Sequence, residues 1–218
     1  MATEREEETF ERLRKELLIH PESAPLHYNM GLARIRKGDL EGAATSFRRA
    51  LELNPGMVEA RINLGGVYFR MGNLDAAIEE NRKVIETDSR MINAYSNLGF
   101  LLVQQGKIDE GIQVYEEALR IHRNVPQVYA NLGHAYFLKG EWEKSIEANQ
   151  KALAVSERFA LAHHNLALTY RQIGKGAEAR RHCEEALRLG FPVSEDLKRE
   201  LLERSSSDTA GGKPESET

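Results

Sequence analysis

The sequence contains little cysteine, proline or tryptophan among its 218 residues, and it has no long hydrophobic run. Because Cys183 is the only cysteine, no intrachain disulfide can form, and a disulfide-stabilised secreted scaffold is excluded. No segment approaches the roughly 18 apolar residues of a transmembrane helix, and the first residues, "MATEREEETF", lack the apolar run of a secretory signal. We therefore expect a cytoplasmic protein without membrane insertion.

Charge and motif content exclude further functions. The chain has 30 basic and 34 acidic residues, so it lacks the basic excess that indicates nucleic-acid binding. It has no phosphate-binding loop and no HExxH or Cys/His ligand spacing, and its seven histidines suggest at most a two-imidazole pair, His134 with His164. We therefore expect no enzyme, no cofactor and no metal site.

What the sequence does have is a period of 34 residues. Laid out at this period, the chain gives five rows, which are 24–57, 58–91, 92–125, 126–159 and 160–193. The sixth residue of every row is an asparagine, although asparagine is a poor helix former. These asparagines are Asn29, Asn63, Asn97, Asn131 and Asn165.

Each row predicts a helix, a tight turn and a second helix. The fifteenth residue of each row is a glycine that follows about a dozen residues of helical periodicity and precedes another amphipathic stretch. A glycine in this place adopts the left-handed conformation that ends a helix. The five glycines are Gly38, Gly72, Gly106, Gly140 and Gly174.

Small residues recur where the two helices of a row should meet. The eighth position is glycine in four rows, as in Gly31 and Gly65, and alanine in the fifth, Ala167. A glycine within a helix costs roughly 1 kcal/mol relative to alanine, so its recurrence predicts an approach too close for a larger side chain. The second helix of each row correspondingly carries a small residue at position 20 of the row and, in most rows, at position 27, as in Ala43 and Ala50.

These features resemble the tetratricopeptide repeat family, whose pattern is matched by "VYANLGHAYFLKGEWEKSIEANQKAL" in the fourth row. The resemblance covers 24–193 and departs at the eleventh position, where Arg34 and Leu102 replace tyrosine. It implies an all-α fold, a right-handed superhelical solenoid of five repeats with flanking helices at both ends. The asparagine column is similar to the repeat region of O-linked N-acetylglucosamine transferase, but no catalytic domain of that enzyme is present.

The two ends of the sequence are expected to flank the repeats. Residues 1–23 contain an amphipathic segment that predicts an N-terminal flanking helix, and 194–204 begin with a serine suited to cap a C-terminal helix. The last residues, 205–218, are polar and predict a disordered tail.

The asparagines should point away from the glycine seam, because the sixth and eighth positions lie about 200° apart around a helix. In the family this second face lines a concave groove, and a carboxamide there can pair with both the C=O and the N–H of a bound peptide. Alternatively, each asparagine ties its repeat to the neighbouring one. Both interpretations stay open at this point.

The predicted groove also carries aromatic and charged residues. We expect a peptide to contact the asparagines together with side chains on the same face. One end of the groove is basic through Arg36 and Arg70, and Arg34 and Arg61 lie close to it. The predicted peptide-binding residues besides the asparagines are Tyr28, Arg36, Phe69, Arg70, Phe100, His134 and Phe137.

The expected function is therefore non-catalytic. The resemblance implies a protein-interaction module or scaffold that binds an extended segment of another protein or peptide in its concave groove. Two alternatives stay open, namely a self-assembling scaffold that forms a homo-oligomer and an auxiliary subunit of an enzyme complex. The sequence does not identify the partner.

Overall fold

The computed structural model describes residues 4–203, so the predicted tail at 205–218 lies outside the described residues. The chain divides into two compact units, Met1–Val114, or unit 1, and Tyr115–Thr218, or unit 2. The boundary between them falls inside one helix.

The described residues are helical and contain no strand, as the predicted all-α class requires. No helix in this part of the chain combines the length and apolarity needed to cross a bilayer. The helices are α1 Glu4–Ile19, α2 Ala24–Lys37, α3 Leu40–Leu53, α4 Val58–Arg70, α5 Leu74–Thr87, α6 Ile92–Gln104, α7 Ile108–Ile121, α8 Pro126–Lys139, α9 Trp142–Val155, α10 Ala160–Gln172, α11 Gly176–Arg188 and α12 Glu195–Lys198, followed by a π-helical turn at Arg199–Glu203.

Short polar residues and glycines set the helix boundaries. Ser23, Asp39 and Asn73 each accept a hydrogen bond from a backbone N–H in the first turn of the helix that follows. The five glycines predicted to end the first helices all have positive φ angles, between 76° and 82°. The helix, turn, helix pattern therefore has the local cause that the sequence indicates.

The glycine at the eighth position makes room for a side chain of the second helix. In unit 1 a Cβ atom added to Gly31 would lie 2.6 Å from Cε1 of Phe47, whose ring is completely buried. The predicted close approach therefore exists, but it is the phenylalanine ring, not the partner backbone, that fills the space.

Asparagine replaces that ring in two other helix pairs. Asn81 of α5 lies against Gly65 in unit 1, and Asn149 of α9 lies against Gly133 in unit 2. Both asparagines are buried and donate from Nδ2 to the carbonyl oxygen four residues earlier in their own helices. A polar residue thus occupies a position that an aromatic ring fills elsewhere.

The small residues of the second helices lie at the centre of each unit, where they allow antiparallel helices to pack closely. The residues of this set that are completely shielded from solvent are Ala43, Ala50, Ala77, Ala118, Ser145, Ala152, Ala179 and Ala186.

Both flanking segments cover a terminal helix pair. In unit 1, Leu13 of α1 packs with Met30 and Ala33 of α2. In unit 2, Leu197 and Leu201 pack with Cys183 and Ala186 of α11 and with Val193. The C-terminal segment differs from the single helix expected over 194–204, because only four residues are α-helical before the chain continues as the π-helical turn.

Replacing Gly31 by alanine should lower stability, although alanine is the better helix former. Helix propensity favours Gly31→Ala by about 1 kcal/mol, but overpacking against the buried Phe47 ring costs about 1–3 kcal/mol. Urea unfolding followed by circular dichroism measures the difference.

Gly66 of α4 supplies the matched control, because no atom lies within 4 Å of the place where its Cβ would be. Gly66→Ala should stabilise by up to about 1 kcal/mol. A stabilising effect of Gly31→Ala of the same size would contradict the packing role of that glycine.

Candidate functional site

The asparagine column does not have one environment. Asn165 is buried with 3% of its surface exposed, Asn63 and Asn131 are half-buried, and Asn29 and Asn97 are exposed. The prediction that all five lie on one open face is therefore wrong at Asn165, because α10 also packs against the preceding helix pair.

In unit 2, Asn165 ties two successive helix pairs together. Its Nδ2 donates to the backbone oxygen of Ala130 in α8 at 2.9 Å and to Oδ1 of Asn149 in α9 at 3.1 Å. Thr169 of α10 donates to the Asn165 carbonyl and is hydrogen-bonded to Ser145 of α9 at 3.0 Å. These buried polar groups satisfy one another, as the low dielectric of an interior demands.

The two half-buried asparagines also form hydrogen bonds inside their units. Asn63 donates from Nδ2 to the Tyr28 hydroxyl at 3.2 Å and to the Glu59 carbonyl at 2.8 Å. Asn131 accepts from Gln127 at 2.8 Å and is hydrogen-bonded to the side chain of Tyr115. Each of them therefore links its helix to the helix pair before it.

Asn29 and Asn97 differ from the other three. Neither forms a side-chain hydrogen bond within residues 4–203, and both amides face solvent. Asn97 follows Asn81 by 16 residues, the same spacing that separates Asn165 from Asn149. However, Oδ1 of Asn81 is buried and has no hydrogen-bond partner in the described residues. Unit 1 thus lacks the tie that unit 2 makes, and the Asn97 amide stays available.

Two of the predicted aromatic residues meet on the surface of unit 1. The rings of Phe69 in α4 and Phe100 in α6 contact each other edge to face, with centroids 5.4 Å apart. Both remain exposed, by 39% and 38%. Two adjacent exposed phenylalanines form a small apolar patch, and exposed apolar patches often mark interaction sites.

The other predicted aromatic residues are more enclosed. Tyr28 is half-buried against Phe47, with centroids 5.8 Å apart, and its hydroxyl accepts from Asn63. In unit 2, Phe137 is half-buried between His134 and Trp142. Burial lowers the pKa of His134, so this imidazole is neutral near pH 7.

Fewer arginines are available to a ligand at the basic end of the predicted groove than the sequence indicates. Arg34 donates to the Gly42 carbonyl and to Ser46, and Arg61 forms a largely buried ion pair with Glu80 at 3.0 Å. Glu80 is itself buried. A long arginine side chain reaches a neighbouring helix in ways that its position in the repeat does not reveal.

Arg36 and Arg70 keep their charges free. Both are exposed in the last turn of a first helix and form no ion pair among the described residues. A helix C-terminus favours a cation, which accounts for their presence but leaves the guanidinium donors open to a ligand. Together with Phe69 and Phe100 they form what we call the Phe–Arg strip of unit 1.

The histidines of unit 2 form a packed cluster. His163 and His182 share a hydrogen bond between their Nδ1 atoms at 2.9 Å, and His163 Nε2 donates to the Glu157 carbonyl. Since Arg181 donates to His182 Nε2, His182 carries its proton on Nδ1 and His163 accepts it. His164 stacks on Phe191 instead, with centroids 4.6 Å apart.

The histidines do not assemble a metal site. Over 4–203, no three His, Cys, Asp or Glu side chains are grouped closely enough to hold a metal ion.

Open clefts lie elsewhere in both units. One of about 690 Å³ is bordered by α1, α2 and α3 of unit 1, and another of about 420 Å³ is bordered by α7, α8 and α9 of unit 2. Neither of these two clefts is lined by a predicted peptide-binding residue.

Comparison with known sequences identifies the family. Three tetratricopeptide repeat profiles match residues 28–91, 90–158 and 160–190, which together span most of the chain. The chain belongs to the tetratricopeptide repeat family. Repeats of this family are in general non-catalytic protein-interaction modules. No curated protein matches the sequence.

Solved structures share the fold. The crystal structure of MamA is 28% identical, with a TM-score of 0.65 over 74% of this chain and 94% of that one. Pseudomonas aeruginosa PilF is 22% identical, with a TM-score of 0.70 over 86% and 88% of the two chains. YrrB, described as a repeat protein with an unusual peptide-binding site, is 18% identical, with a TM-score of 0.61 over 81% and 91%.

The two kinds of asparagine should differ in how much stability their truncation costs. Asn165→Ala removes the tie to Ala130 and leaves the buried Asn149 Oδ1 without a donor, so it should lower the free energy of unfolding by about 2 kcal/mol. Asn97→Ala changes an exposed amide and should stay within about 0.5 kcal/mol of the parent protein. Urea unfolding of both variants tests this, and equal losses would contradict the division.

Acid should weaken unit 2 through His182. Desolvation, then the charges of His163 and Arg181, lower the pKa of His182 to about 4 against a small opposing effect of Glu185. Because the unfolded histidine has its ordinary pKa near 6.5, stability is full above about pH 6.5, falls as the pH drops to about 4 and then levels off. The loss should be about 2–3 kcal/mol.

The variant His182→Gln isolates this effect, since His134 and His164, whose pKa values burial also lowers, titrate in both proteins. The parent protein should lose more stability between about pH 7.5 and 4.5 than the variant does, as measured by urea unfolding. Identical losses would contradict the role of His182.

Proposed function

We propose that the protein is an interaction module that binds an extended segment of another protein along the first helices α2, α4 and α6 of unit 1. The Phe–Arg strip and the amides of Asn29 and Asn97 are the groups that would contact it. The observation that carries the proposal is the contact between two exposed phenylalanines, Phe69 and Phe100.

The phenylalanine pair favours a protein ligand for an energetic reason. Each ring leaves more than a third of its surface in water, and a bound side chain would remove apolar area from solvent at about 25 cal/mol per Å². Aromatic residues concentrate the binding energy of protein interfaces because they bury large rigid surfaces.

The exposed asparagines favour an extended backbone. A carboxamide offers a donor and an acceptor together, which match the C=O and N–H of a peptide unit whatever its side chain. Neighbouring packed helices lie roughly 8–10 Å apart, and an extended chain advances about 3.3 Å per residue. One helix spacing therefore corresponds to about three ligand residues.

The proposal departs from a uniform asparagine ladder. Asn165 is committed to the packing of unit 2, and Asn63 and Asn131 already have partners. In this proposal Asn29 and Asn97 contact the ligand, while the buried and half-buried asparagines mainly join helix pairs. The peptide-binding site described for YrrB, which shares this fold, supports the proposal.

Peptide selection followed by affinity measurement tests the proposal. A phage-displayed dodecapeptide library is selected on the immobilised full chain, and the enriched peptides are synthesised with a fluorescent label. The double variant Phe69→Ala with Phe100→Ala should weaken their binding by at least about tenfold in fluorescence anisotropy.

Ile121→Ala is the matched control, because Ile121 is exposed by 37% but lies outside the Phe–Arg strip. It should leave the affinity unchanged, and circular dichroism should show the same helicity for all variants. Failure to enrich any peptide, or equal binding by the double variant, would overturn the proposed function.

A further inference from the structure

Gly66 is a glycine whose presence the fold does not explain. It lies inside α4, its φ angle is not positive, and no atom lies within 4 Å of the place where its Cβ would be. Neither backbone conformation nor internal packing therefore requires glycine here. At the same repeat position, 34 residues apart, the other repeats carry larger side chains, namely Leu32, Phe100, His134 and Leu168.

A glycine in this setting has a cost. In a helix interior it is roughly 1 kcal/mol less favourable than alanine, and here no close neighbour offsets that loss. A remaining reason for glycine is the close approach of a group that belongs to another molecule. Gly31 shows the contrast, because its Cβ position is occupied by Phe47 of the same unit.

The surroundings of Gly66 show what would approach. Phe69 and Arg70 follow it by three and four residues, so they lie on the same face of α4, and the Phe100 ring packs against Phe69. Missing side-chain volume beside two exposed rings forms a notch on the Phe–Arg strip. An apolar lining of this kind suits a large aliphatic or aromatic side chain.

The charged side chains of the Phe–Arg strip indicate which ligand residue would lie next to the apolar one. Arg70 and Arg36 are exposed and form no ion pair in the described part of the chain, while their neighbours Arg34 and Arg61 are already bonded within unit 1. Arg70 lies four residues after Gly66 on the same face of α4, and Arg36 holds the equivalent repeat position in α2, so both guanidinium groups complement a carboxylate of a segment bound along these helices. Because the arginines are exposed, such pairing contributes selectivity and salt dependence more than affinity.

We propose that Gly66 opens a specificity notch for a large apolar side chain of a bound segment, with Arg70 and Arg36 selecting an acidic residue beside it. This inference rests on the proposed function and names the chemistry of the ligand. The occupant is a segment of a partner protein in which a large apolar residue adjoins aspartate or glutamate.

Filling the notch should separate binding from stability. Gly66→Leu restores the side chain that two other repeats carry, and Gly66→Ala adds only a methyl group. Both should raise the Tm, by roughly 2–4 °C, because the helix gains propensity. The affinity for the peptides selected on the full chain should fall slightly for alanine and roughly tenfold or more for leucine.

Gly176→Ala is the matched control. Gly176 also has no atom within 4 Å of its Cβ position, but it begins α11 and lies outside the Phe–Arg strip. Its replacement should leave peptide affinity unchanged. An equal loss of affinity in this variant would overturn the notch.

A double-mutant cycle assigns the notch to one ligand residue. The large apolar residue of a selected peptide is replaced by alanine, which should weaken binding roughly tenfold with the parent protein but little with Gly66→Leu. Replacing the acidic residue by its amide should weaken binding to the parent protein and reduce the dependence of affinity on salt.

The outcomes distinguish the two proposals. If selected peptides bind through Phe69 and Phe100 but Gly66→Leu binds them equally well, the notch is overturned and the proposed function stands. If the peptides share no large apolar residue beside a carboxylate, the stated ligand chemistry is overturned. If no peptide is enriched at all, the proposed function falls and the notch falls with it.

Discussion

The structure depends on one contact that recurs at the centre of the helix pairs, where a glycine of the first helix receives a side chain of the second. The ring of Phe47 fills the space over Gly31, and Asn81 and Asn149 occupy it over Gly65 and Gly133. Since interiors are packed as densely as organic crystals, the residue in this space sets how closely the helices lie. The alanines beside it then become completely buried.

The identity of that side chain does not by itself decide what the asparagine column does. Where Asn149 fills the space, its Oδ1 accepts from Asn165, which is drawn into the core and joins two helix pairs. Asn81 occupies the same place in unit 1, but its Oδ1 has no partner in residues 4–203 and Asn97 remains exposed. The same packing residue therefore accompanies a structural tie in unit 2 and an exposed amide in unit 1. Repetition of a residue does not ensure repetition of its role.

The composition of the candidate site likewise depends on which side chains are already bonded or packed within their own unit. Arg34 and Arg61 look available in the repeat pattern, yet Ser46, the Gly42 carbonyl and Glu80 occupy their donors. Phe137 is enclosed by Trp142 and His134, whereas Phe69 and Phe100 have mainly each other. What remains on unit 1 is a small apolar and cationic surface with a gap at Gly66. In the proposed function, such local departures between nearly equivalent repeats would set the selectivity for a ligand.

The sequence by itself determined the all-α class, the helix boundaries around the five turn glycines and the small residues between paired helices. These follow from local rules, because left-handed backbone at glycine, capping and helical periodicity act within a few residues. Only the tertiary structure decided which asparagines are exposed, which arginines keep a free charge, and that His163 and His182 form a buried pair. Those outcomes depend on contacts between different helices, formed by residues 8 to 35 positions apart. Long side chains reach across helices by rotamers and neighbours that a repeat position does not specify.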